Sequence, residues 1–236
     1  MKRIAIIPAR FGSKRIPQKN IREFCGKPVI AYILESAKKS NLFDVIHVST
    51  DSELIANTVR QFGFSVDFLR PAELADDHTP ILPVLKYVYE RYLNKGFSFD
   101  QVWSLLPTSP FLESKDLIRA EKKYLESGGV SPLLGVSEYQ APIEWAFELN
   151  NRGSLIPYMP GKFSIRSQDL QPKYYDTGSF AIFPKKNIEK SDGPGSDDNY
   201  KGYILPKYKA IDIDTPDDWR FAEALYEGLF GEKNRN

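Results

Sequence analysis

A regular alternation of short apolar segments with longer amphipathic segments constrains the fold of this chain more than any other feature. The apolar segments predict strands at residues 3–9, 45–49, 65–69, 101–106 and 130–136. The segments between them predict helices at residues 28–39, 52–62, 81–93 and 114–125. Such alternation is typical of βαβ units, so we predict an α/β fold with a mostly parallel central sheet and helices on both faces.

The pattern changes after Ser137. Residues 137–170 contain short strand-like pieces, among them 144–149, and no helical pattern. The α/β pattern returns with predicted strands at 178–183 and 208–214 and a helix from Pro216 to about Leu229, while 189–203 is predicted to be a flexible loop. We therefore predict one domain over residues 1–236, in which 137–170 is a small insert that contacts a partner.

Composition and charge exclude several classes of protein. Hydrophobic residues make up 42% and charged residues 27% of the chain, which is ordinary for a globular protein. The formal net charge of +1 argues against a nucleic acid partner held by a globally basic surface. The single cysteine, Cys25, excludes an internal disulfide framework and favours a reducing compartment. Because no apolar run approaches the roughly 18 residues of a membrane span, we expect a cytoplasmic protein without a membrane partner.

The segment after the first predicted strand has the composition of a phosphate-binding loop. Residues 1–22 contain no acid, yet residues 10–22 include a cluster of cations: Arg10, Lys14, Arg15, Lys19 and Arg22. Gly12 permits close approach of the backbone, and Pro17 prevents helix formation. Ligands of open α/β sheets bind beyond the carboxyl ends of the strands, so this cationic loop (residues 10–20) suits a nucleoside triphosphate. It matches neither the P-loop nor the dinucleotide motif, and a solvated surface loop is the alternative.

Two aspartates near the end of the chain form a candidate metal site. Asp212 and Asp214 lie two residues apart in a predicted strand, so their side chains share one face while Ile213 faces the core. Mg²⁺ is commonly bound by one or two carboxylates together with phosphate oxygens and water. Exposed acids at a strand end are the alternative. Residues 215–218 predict a helix start with Thr215 as N-cap, so the acids at 217 and 218 are assigned to capping.

Other polar residues are assigned to structural roles. Asp51 is predicted first as the N-cap of the following helix and second as a site residue. Asp76 and Asp77 are predicted to form a loop turn, with metal binding as the alternative. The two histidines, His47 and His78, are far apart, and with one cysteine they indicate neither a zinc site nor a cysteine nucleophile.

Residues 7–21 strongly resemble the opening segment of the acylneuraminate cytidylyltransferases, enzymes that make CMP-linked nine-carbon keto acids. The resemblance spans nearly the whole chain through short motifs at residues 26–28, 42–44, 48–51, 69–71, 74–77, 107–110 and 211–214. It implies a Rossmann-like nucleotidyltransferase fold, CTP and an acidic keto sugar as substrates, and Mg²⁺ on the paired aspartates. It also implies a homodimer with the 137–170 insert as the contact.

The resemblance further implies roles for single residues. Positions that hold the CTP phosphates are matched by residues of the cationic loop: Arg10, Gly12, Ser13, Lys14, Lys19 and Asn20. Positions at the cytosine end of the nucleotide are matched by Arg70, with Thr79 and Pro80 on the same wall. The residues expected to offset charge on departing pyrophosphate, and so to act catalytically, are Arg10, Lys14 and Lys19.

Sugar contacts are expected from two loops. Residues 166–170, followed by Tyr-Asp-Thr-Gly at 175–178, resemble the pseudaminic acid branch of the family. Members that use N-acetylneuraminic acid tend to carry glutamine where Leu106 stands here, and loss of that amide suits a less hydroxylated sugar. Since an arginine can hold a carboxylate through a two-point fork, the expected sugar-binding residues are Thr108, Ser109, Arg166, Gln168 and Asp176.

The expected reaction is transfer of CMP from CTP to the anomeric hydroxyl of a keto sugar acid, with release of pyrophosphate. Pseudaminic acid is the first expected acceptor, and N-acetylneuraminic or legionaminic acid the others. Three alternatives remain at this point: a ketodeoxyoctulosonate cytidylyltransferase, a metal-dependent nucleotide-sugar glycosyltransferase, which also uses Asp-x-Asp, and a catalytically silent nucleotide sensor. Pyrophosphate release that depends on a sugar acid distinguishes them.

Overall fold

The computed structural model describes residues 1–191, 193 and 198–231, and over these residues the main sheet has six strands. All strands are numbered in chain order, and the short strands β2 (Glu23–Phe24) and β3 (Lys27–Pro28) pair with each other outside this sheet. The six strands of the main sheet are β1 (Arg3–Pro8), β4 (Val45–Ser49), β5 (Gln101–Leu105), β6 (Leu133–Glu138), β9 (Tyr174–Pro184) and β10 (Lys201–Ile204). Their spatial order is β10-β6-β9-β5-β1-β4, in which β9 is antiparallel to both neighbours and the other pairs are parallel. The predicted mostly parallel sheet is confirmed.

Helices cover both faces of this sheet, as predicted. One face packs with α1 (Val29–Ser40), α2 (Glu53–Gln61) and α4 (Ser114–Glu126), and the other with α3 (Ile81–Leu93) and α5 (Lys185–Glu189). In β1, Ala5 and Ile7 belong to the first core whereas Ile4 and Ile6 belong to the second, so alternate residues serve opposite faces. Among the described helices, none combines the length and hydrophobicity that a bilayer span requires.

The last helix, α6 (Pro216–Phe230), is attached to the cationic loop by a third apolar cluster. Buried Ile16 of the loop packs in this cluster with Trp219 of α6. The helix begins as predicted, because Thr215 and Asp218 form a reciprocal capping box and Pro216 occupies the first turn. The start of α6 is therefore fixed beside the loop that follows β1.

Residues 65–69, predicted as a strand, form no strand in the structure. They run beside the edge strand β4, where the Arg70 amide donates to the carbonyl of Thr50 at 2.7 Å. Side-chain packing holds the segment, since the Phe68 ring stacks on the His47 ring with 4.4 Å between centroids. The prediction was wrong because an apolar pattern reports burial and not backbone pairing.

Residues 208–214, also predicted as a strand, lie outside the sheet. A 3₁₀ turn covers Lys207–Lys209, and the residues after it have no strand partner. The Ile213 carbonyl accepts a hydrogen bond from the Lys19 ammonium at 2.9 Å, in place of a neighbouring strand amide. Burial still alternates, because Ile213 is buried while Asp212 is exposed and Asp214 is half-buried.

The other predicted boundaries near the carboxyl end also need correction. Residues 178–183 are the centre of the longer strand β9. Residues 189–203 were predicted to be a loop, yet β10 occupies the end of this range. Positions 192 and 194–197 of the same range lie outside the described residues.

The predicted insert forms a small hairpin outside the main sheet. Strand β6 continues to Glu138, and the hairpin then pairs β7 (Phe147–Leu149) with β8 (Leu155–Pro157). The Trp145 indole donates to the carbonyl of Ile165 at 3.0 Å, which closes the base of the hairpin. Much of its apolar surface is exposed, including 70% of Leu149 and 61% of Leu155.

A buried lysine anchors the segment that carries the paired aspartates. The side chain of Lys209 is 1% exposed, and its ammonium contacts Asp116 and lies 2.6 Å from Glu113, both at the start of α4. Burial disfavours the charged ammonium, but hydrogen bonds and charges of the two carboxylates outweigh it and raise the pKa of Lys209. The ion cluster therefore substitutes for the strand pairing that this segment lacks.

Replacing Lys209 with methionine should destabilise the fold strongly, because the substitution leaves the buried carboxylate of Asp116 without its cation. The free energy of unfolding, measured by urea denaturation, should fall by about 3–5 kcal/mol. The matched control is Lys201→Met on β10, where the exposed side chain should change stability by less than about 0.5 kcal/mol. Equal effects of the two substitutions would contradict the anchoring role.

Candidate functional site

A cavity of about 930 Å³ opens at the carboxyl ends of β1 and β5. Four loops and strand β9 meet around it: the cationic loop, the 70–81 loop, the loop after β5 and the segment before α6. The predicted site residues that line it are Arg10, Ser13, Lys14, Lys19, Asn20, Arg70, Thr79, Thr108, Asp176 and Asp214. Its volume lies in the range of small-molecule sites.

The cationic loop is held in shape by hydrogen bonds to its backbone. The side-chain amide of buried Asn20 donates to the carbonyl of Arg10 at 2.8 Å, which closes the loop on itself. The backbone amide of Phe11 donates to the Asp51 carboxylate at 2.9 Å. The N-cap prediction for Asp51 was therefore wrong, because Ser52 caps α2 and Asp51 turns toward the loop instead. These contacts leave the basic side chains directed away from the loop backbone.

The cationic loop and the segment before α6 meet at Asp214. The Lys19 ammonium lies 3.0 Å from one carboxylate oxygen of Asp214, and the Arg15 guanidinium lies 2.7 Å from the other. Two cations from the start of the chain thus share one carboxylate from near its end. The sequence predicted that the two groups converge, and the structure places Asp214 there.

The paired aspartates have opposite pKa shifts. Partial burial would raise the pKa of Asp214, but the hydrogen bond and charge of Lys19 and the charge of Arg15 lower it. The pKa of Asp212 is raised, first because surrounding protein removes solvation and second because Asp214 carries the same charge nearby. Asp212 does not line the cavity. Its charge is therefore the less compensated of the pair.

Asp77 also engages the cationic loop. Its carboxylate forms ion pairs with both Arg10 and Lys14, and these contacts lower its pKa. Asp76 behaves as the predicted turn residue, since its carboxylate accepts hydrogen bonds from the Thr79 amide at 2.6 Å and hydroxyl at 2.7 Å. A bound anion would compete with the Asp77 carboxylate for the same two cations.

Arg70 is a buried residue of the cavity wall and organises the end of β4. Its guanidinium donates to the Ser49 hydroxyl at 3.1 Å, to the Ser49 carbonyl and to the Leu74 carbonyl at 3.3 Å. Burial lowers the pKa of Arg70 to about 10, which still leaves it charged at neutral pH. The side chain therefore fixes the 70–74 loop in place beside the cationic loop.

Several predicted site residues do not reach the cavity. Gly12 lines a neighbouring groove with Arg10 and Lys14, on the outer side of the cationic loop. The predicted residues outside both are Pro80, Ser109, Arg166, Gln168 and Asp212. The Arg166 guanidinium is occupied by Asp169, at 2.9 and 3.3 Å from its carboxylate oxygens, in an exposed turn. The Arg166 guanidinium, which was predicted to bind a sugar carboxylate, thus pairs with Asp169 of the same chain.

Some residues that line the cavity were not predicted from the sequence. Ser104 of β5, Leu134 of β6 and Ala181 of β9 line the cavity, and Tyr200 closes it. These residues follow no motif, and they meet only because the strand order brings their strands side by side. A serine inside an apolar strand was the one available signal.

Fold and site together define a nucleotide-binding α/β enzyme. A cationic loop follows the first strand, and the carboxylate of Asp214, distant in sequence, lies beside this loop in space. The family model described as Cytidylyltransferase matches residues 4–155, which is more than half of the chain. The chain therefore belongs to the cytidylyltransferase family and is a nucleotidyltransferase.

Three relatives illustrate the family. The chain is 35% identical over 230 residues to pseudaminic acid cytidylyltransferase of Campylobacter jejuni, covering 96% of this chain and 97% of the relative. It is 34% identical over 233 residues to CMP-N,N'-diacetyllegionaminic acid synthase of Legionella pneumophila, covering 96% and 97%. It is 34% identical to N-acylneuraminate cytidylyltransferase of Streptococcus agalactiae, covering 93% of this chain and 52% of the relative.

The fold is shared with a solved structure of CMP:2-keto-3-deoxy-manno-octonic acid synthetase complexed with CTP. The two superpose with a TM-score of 0.72 at 18% identity, covering 97% of this chain and all of the other. At this identity the likeness establishes the fold alone.

Replacing Lys19 with methionine should raise the pKa of Asp214 toward the ordinary aspartate value of about 3.9. The lysine is the main cause of the lowering, so its removal favours the protonated carboxyl. Carboxyl carbon chemical shifts followed against pH by NMR report this titration. Lys27→Met removes a cation that pairs with Glu35 and does not contribute to the shift of Asp214, so it should leave the titration unchanged. An unaltered titration in the Lys19 variant would show that the contact does not exist in solution.

Proposed function

We propose that this protein transfers CMP from CTP to a nine-carbon keto sugar acid and releases pyrophosphate, with pseudaminic acid as the first acceptor. The observation that carries the proposal is the contact between Lys19 and Asp214, which joins the cationic loop and the carboxylate segment in one cavity. The proposed acceptor is taken from two relatives named for pseudaminic and legionaminic acids. The alignment with each covers 96% of this chain and 97% of the relative.

The chain's cations would hold and neutralise the triphosphate. The anomeric hydroxyl attacks the α-phosphorus, a new oxygen–phosphorus bond forms, and the bond to the β-phosphate oxygen breaks as pyrophosphate leaves. Arg10, Lys14 and Lys19 offset the charge that develops on pyrophosphate. Gly12, Ser13 and Asn20 are proposed as further phosphate contacts, and Arg70, Thr79 and Pro80 as contacts of the cytosine end. Of these, Gly12 and Pro80 lie outside the cavity of the single chain. Most of the rate enhancement comes from positioning the two substrates and neutralising the phosphate charges, because the protein forms no covalent bond to either substrate in this transfer.

The paired aspartates fit a magnesium ion. They are oxygen donors of the kind that Mg²⁺ prefers. The pKa of Asp212 is raised first by loss of solvation and second by the like charge of Asp214, and a bound cation would relieve that repulsion. Bound Mg²⁺ would polarise the phosphate oxygens. Lys19 and Arg15, which pair with Asp214, also line the cavity, so both cations are in position to contact the triphosphate.

The sugar acid would occupy the half of the cavity near β9. Thr108 and Asp176 line this half, and Leu106 supplies an apolar wall. Ser109, Arg166 and Gln168 are proposed sugar contacts that lie outside the cavity of the single chain. The exposed apolar hairpin supports a homodimer formed through the insert. A cytoplasmic location agrees with the lone, unpaired Cys25.

The direct test measures pyrophosphate release from CTP and Mg²⁺ with a panel of acceptors: pseudaminic, legionaminic, N-acetylneuraminic and ketodeoxyoctulosonic acids. Release that requires a nine-carbon acid, and is fastest with pseudaminic acid, is the expected result. Fastest release with the eight-carbon acid would make the protein a ketodeoxyoctulosonate cytidylyltransferase. CTP binding without release with any acceptor would contradict the proposed enzyme.

Asp214→Asn should lower kcat/KM for CTP by about 100-fold or more, because the carboxylate that would bind the metal beside the phosphates is lost. Excess Mg²⁺ should recover part of the rate by mass action. Asp217→Asn is the control, since exposed Asp217 pairs only locally with Arg220, and it should keep the wild-type rate. Wild-type activity of the Asp214 variant at low Mg²⁺ would remove this residue from the metal site.

The exposed hairpin should hold the homodimer together. Leu149→Glu places a charge on its most exposed leucine and should convert the dimer to monomer in sedimentation velocity experiments. Leu54→Glu, on an exposed face of α2, should leave the dimer intact. A wild-type protein that sediments as a monomer at micromolar concentration would contradict the dimer.

A further inference from the structure

The strand order divides the cavity into two chemically different halves. On the β4 and β1 side lie all of the cavity's described cations: Arg10, Lys14, Arg15, Lys19 and Arg70. On the β5, β9 and β6 side the floor is largely apolar and includes Leu134, Ala181 and Phe183, while Thr108 and Asp176 are polar residues of the same half. A charged nucleotide suits the first half. The second half suits a neutral and partly apolar group.

Ser104 is the polar residue built into the floor of the apolar half. It lies one residue before the end of β5, opposite Ile6 of β1 and Ala181 of β9. Ala181 in turn is paired with Leu134 of β6, so these side chains form a row across the sheet. Ser104 is 2% exposed, and in the part of the chain that the structure describes its hydroxyl has no hydrogen-bond partner.

Two other buried hydroxyls of the fold, those of Ser40 and Thr177, do have partners. Ser40 donates to the carbonyl of Ala37 at 2.6 Å, and Thr177 donates to that of Gly135 at 2.7 Å. An unpartnered buried hydroxyl costs free energy, and such a group calls for a specific explanation. Ser104 differs from Ser40 and Thr177 in lining the cavity. A bound ligand can therefore supply the missing partner.

We propose that Ser104 determines acceptor specificity by hydrogen bonding to an acylamino group of the sugar acid. This inference rests on the proposed function. An amide offers both a donor and an acceptor to the hydroxyl, and its alkyl end packs on Leu134 and Ala181. A sugar hydroxyl in the same position could also hydrogen bond to Ser104, but it has no alkyl group to pack on Leu134 and Ala181. Acceptors that carry an acylamino group should therefore bind more tightly.

The test compares Ser104→Ala with wild type on two acceptors: N-acetylneuraminic acid and its deaminated analogue, in which a hydroxyl replaces the acylamino group. The variant should lose roughly fivefold in kcat/KM for the acylamino acceptor, as expected for one neutral hydrogen bond. The loss should be smaller for the analogue, and KM for CTP should not change. Calorimetric titration of each acceptor in the presence of a non-hydrolysable CTP analogue measures the same preference without turnover.

A stability measurement separates this role from a structural one. Without ligand, Ser104→Ala should keep or raise the melting temperature, because it removes an unpartnered buried group. The matched control Ser40→Ala breaks a satisfied hydrogen bond, so it should lower the melting temperature and leave both KM values unchanged. Unchanged acceptor binding in the Ser104 variant would overturn the inference. Absence of pyrophosphate release by wild type with every acceptor of the panel would instead contradict the proposed function. The acceptor preference measured by calorimetry would then still decide the role of Ser104.

Discussion

The ion pair between Lys19 and Asp214 is the interaction on which the site depends, because it joins residues 195 positions apart in the sequence. Lys19 belongs to the cationic loop, which follows the carboxyl end of β1. Asp214 precedes α6 and has no strand to hold it, so its position relies on the Thr215–Asp218 capping box and on buried Lys209. Loss of either support would separate the carboxylate from the cations.

Charge pairing explains how so basic a loop is tolerated without a ligand. Asp77 neutralises part of the charge of Arg10 and Lys14, and Asp214 does the same for Arg15 and Lys19. Both carboxylates are partly exposed, so the pairs are worth little to stability. They are therefore readily exchanged for phosphate oxygens, which bind the same cations through charge-assisted hydrogen bonds. The site is preorganised by pairs that a nucleotide can replace.

Local rules predicted part of this structure and long-range contacts decided the rest. The strand at β1, the loop after it and the capping box at Thr215 follow from neighbouring residues alone, and each is present. Residues 65–69 and 208–214 were misjudged, since strand pairing depends on which distant backbone lies alongside. The roles of Asp77 and Ser104 were missed for the same reason: their contacts come from elements far away in the sequence.

A double-mutant cycle between Lys19 and Asp214, read as the affinity for Mg²⁺-bound CTP, tests the central claim most directly. If both residues converge on one nucleotide, the effects of Lys19→Met and Asp214→Asn will be non-additive, with a coupling free energy of about 1–3 kcal/mol. Effects that add to within about 0.5 kcal/mol would place the two residues in independent sites and contradict the shared cavity.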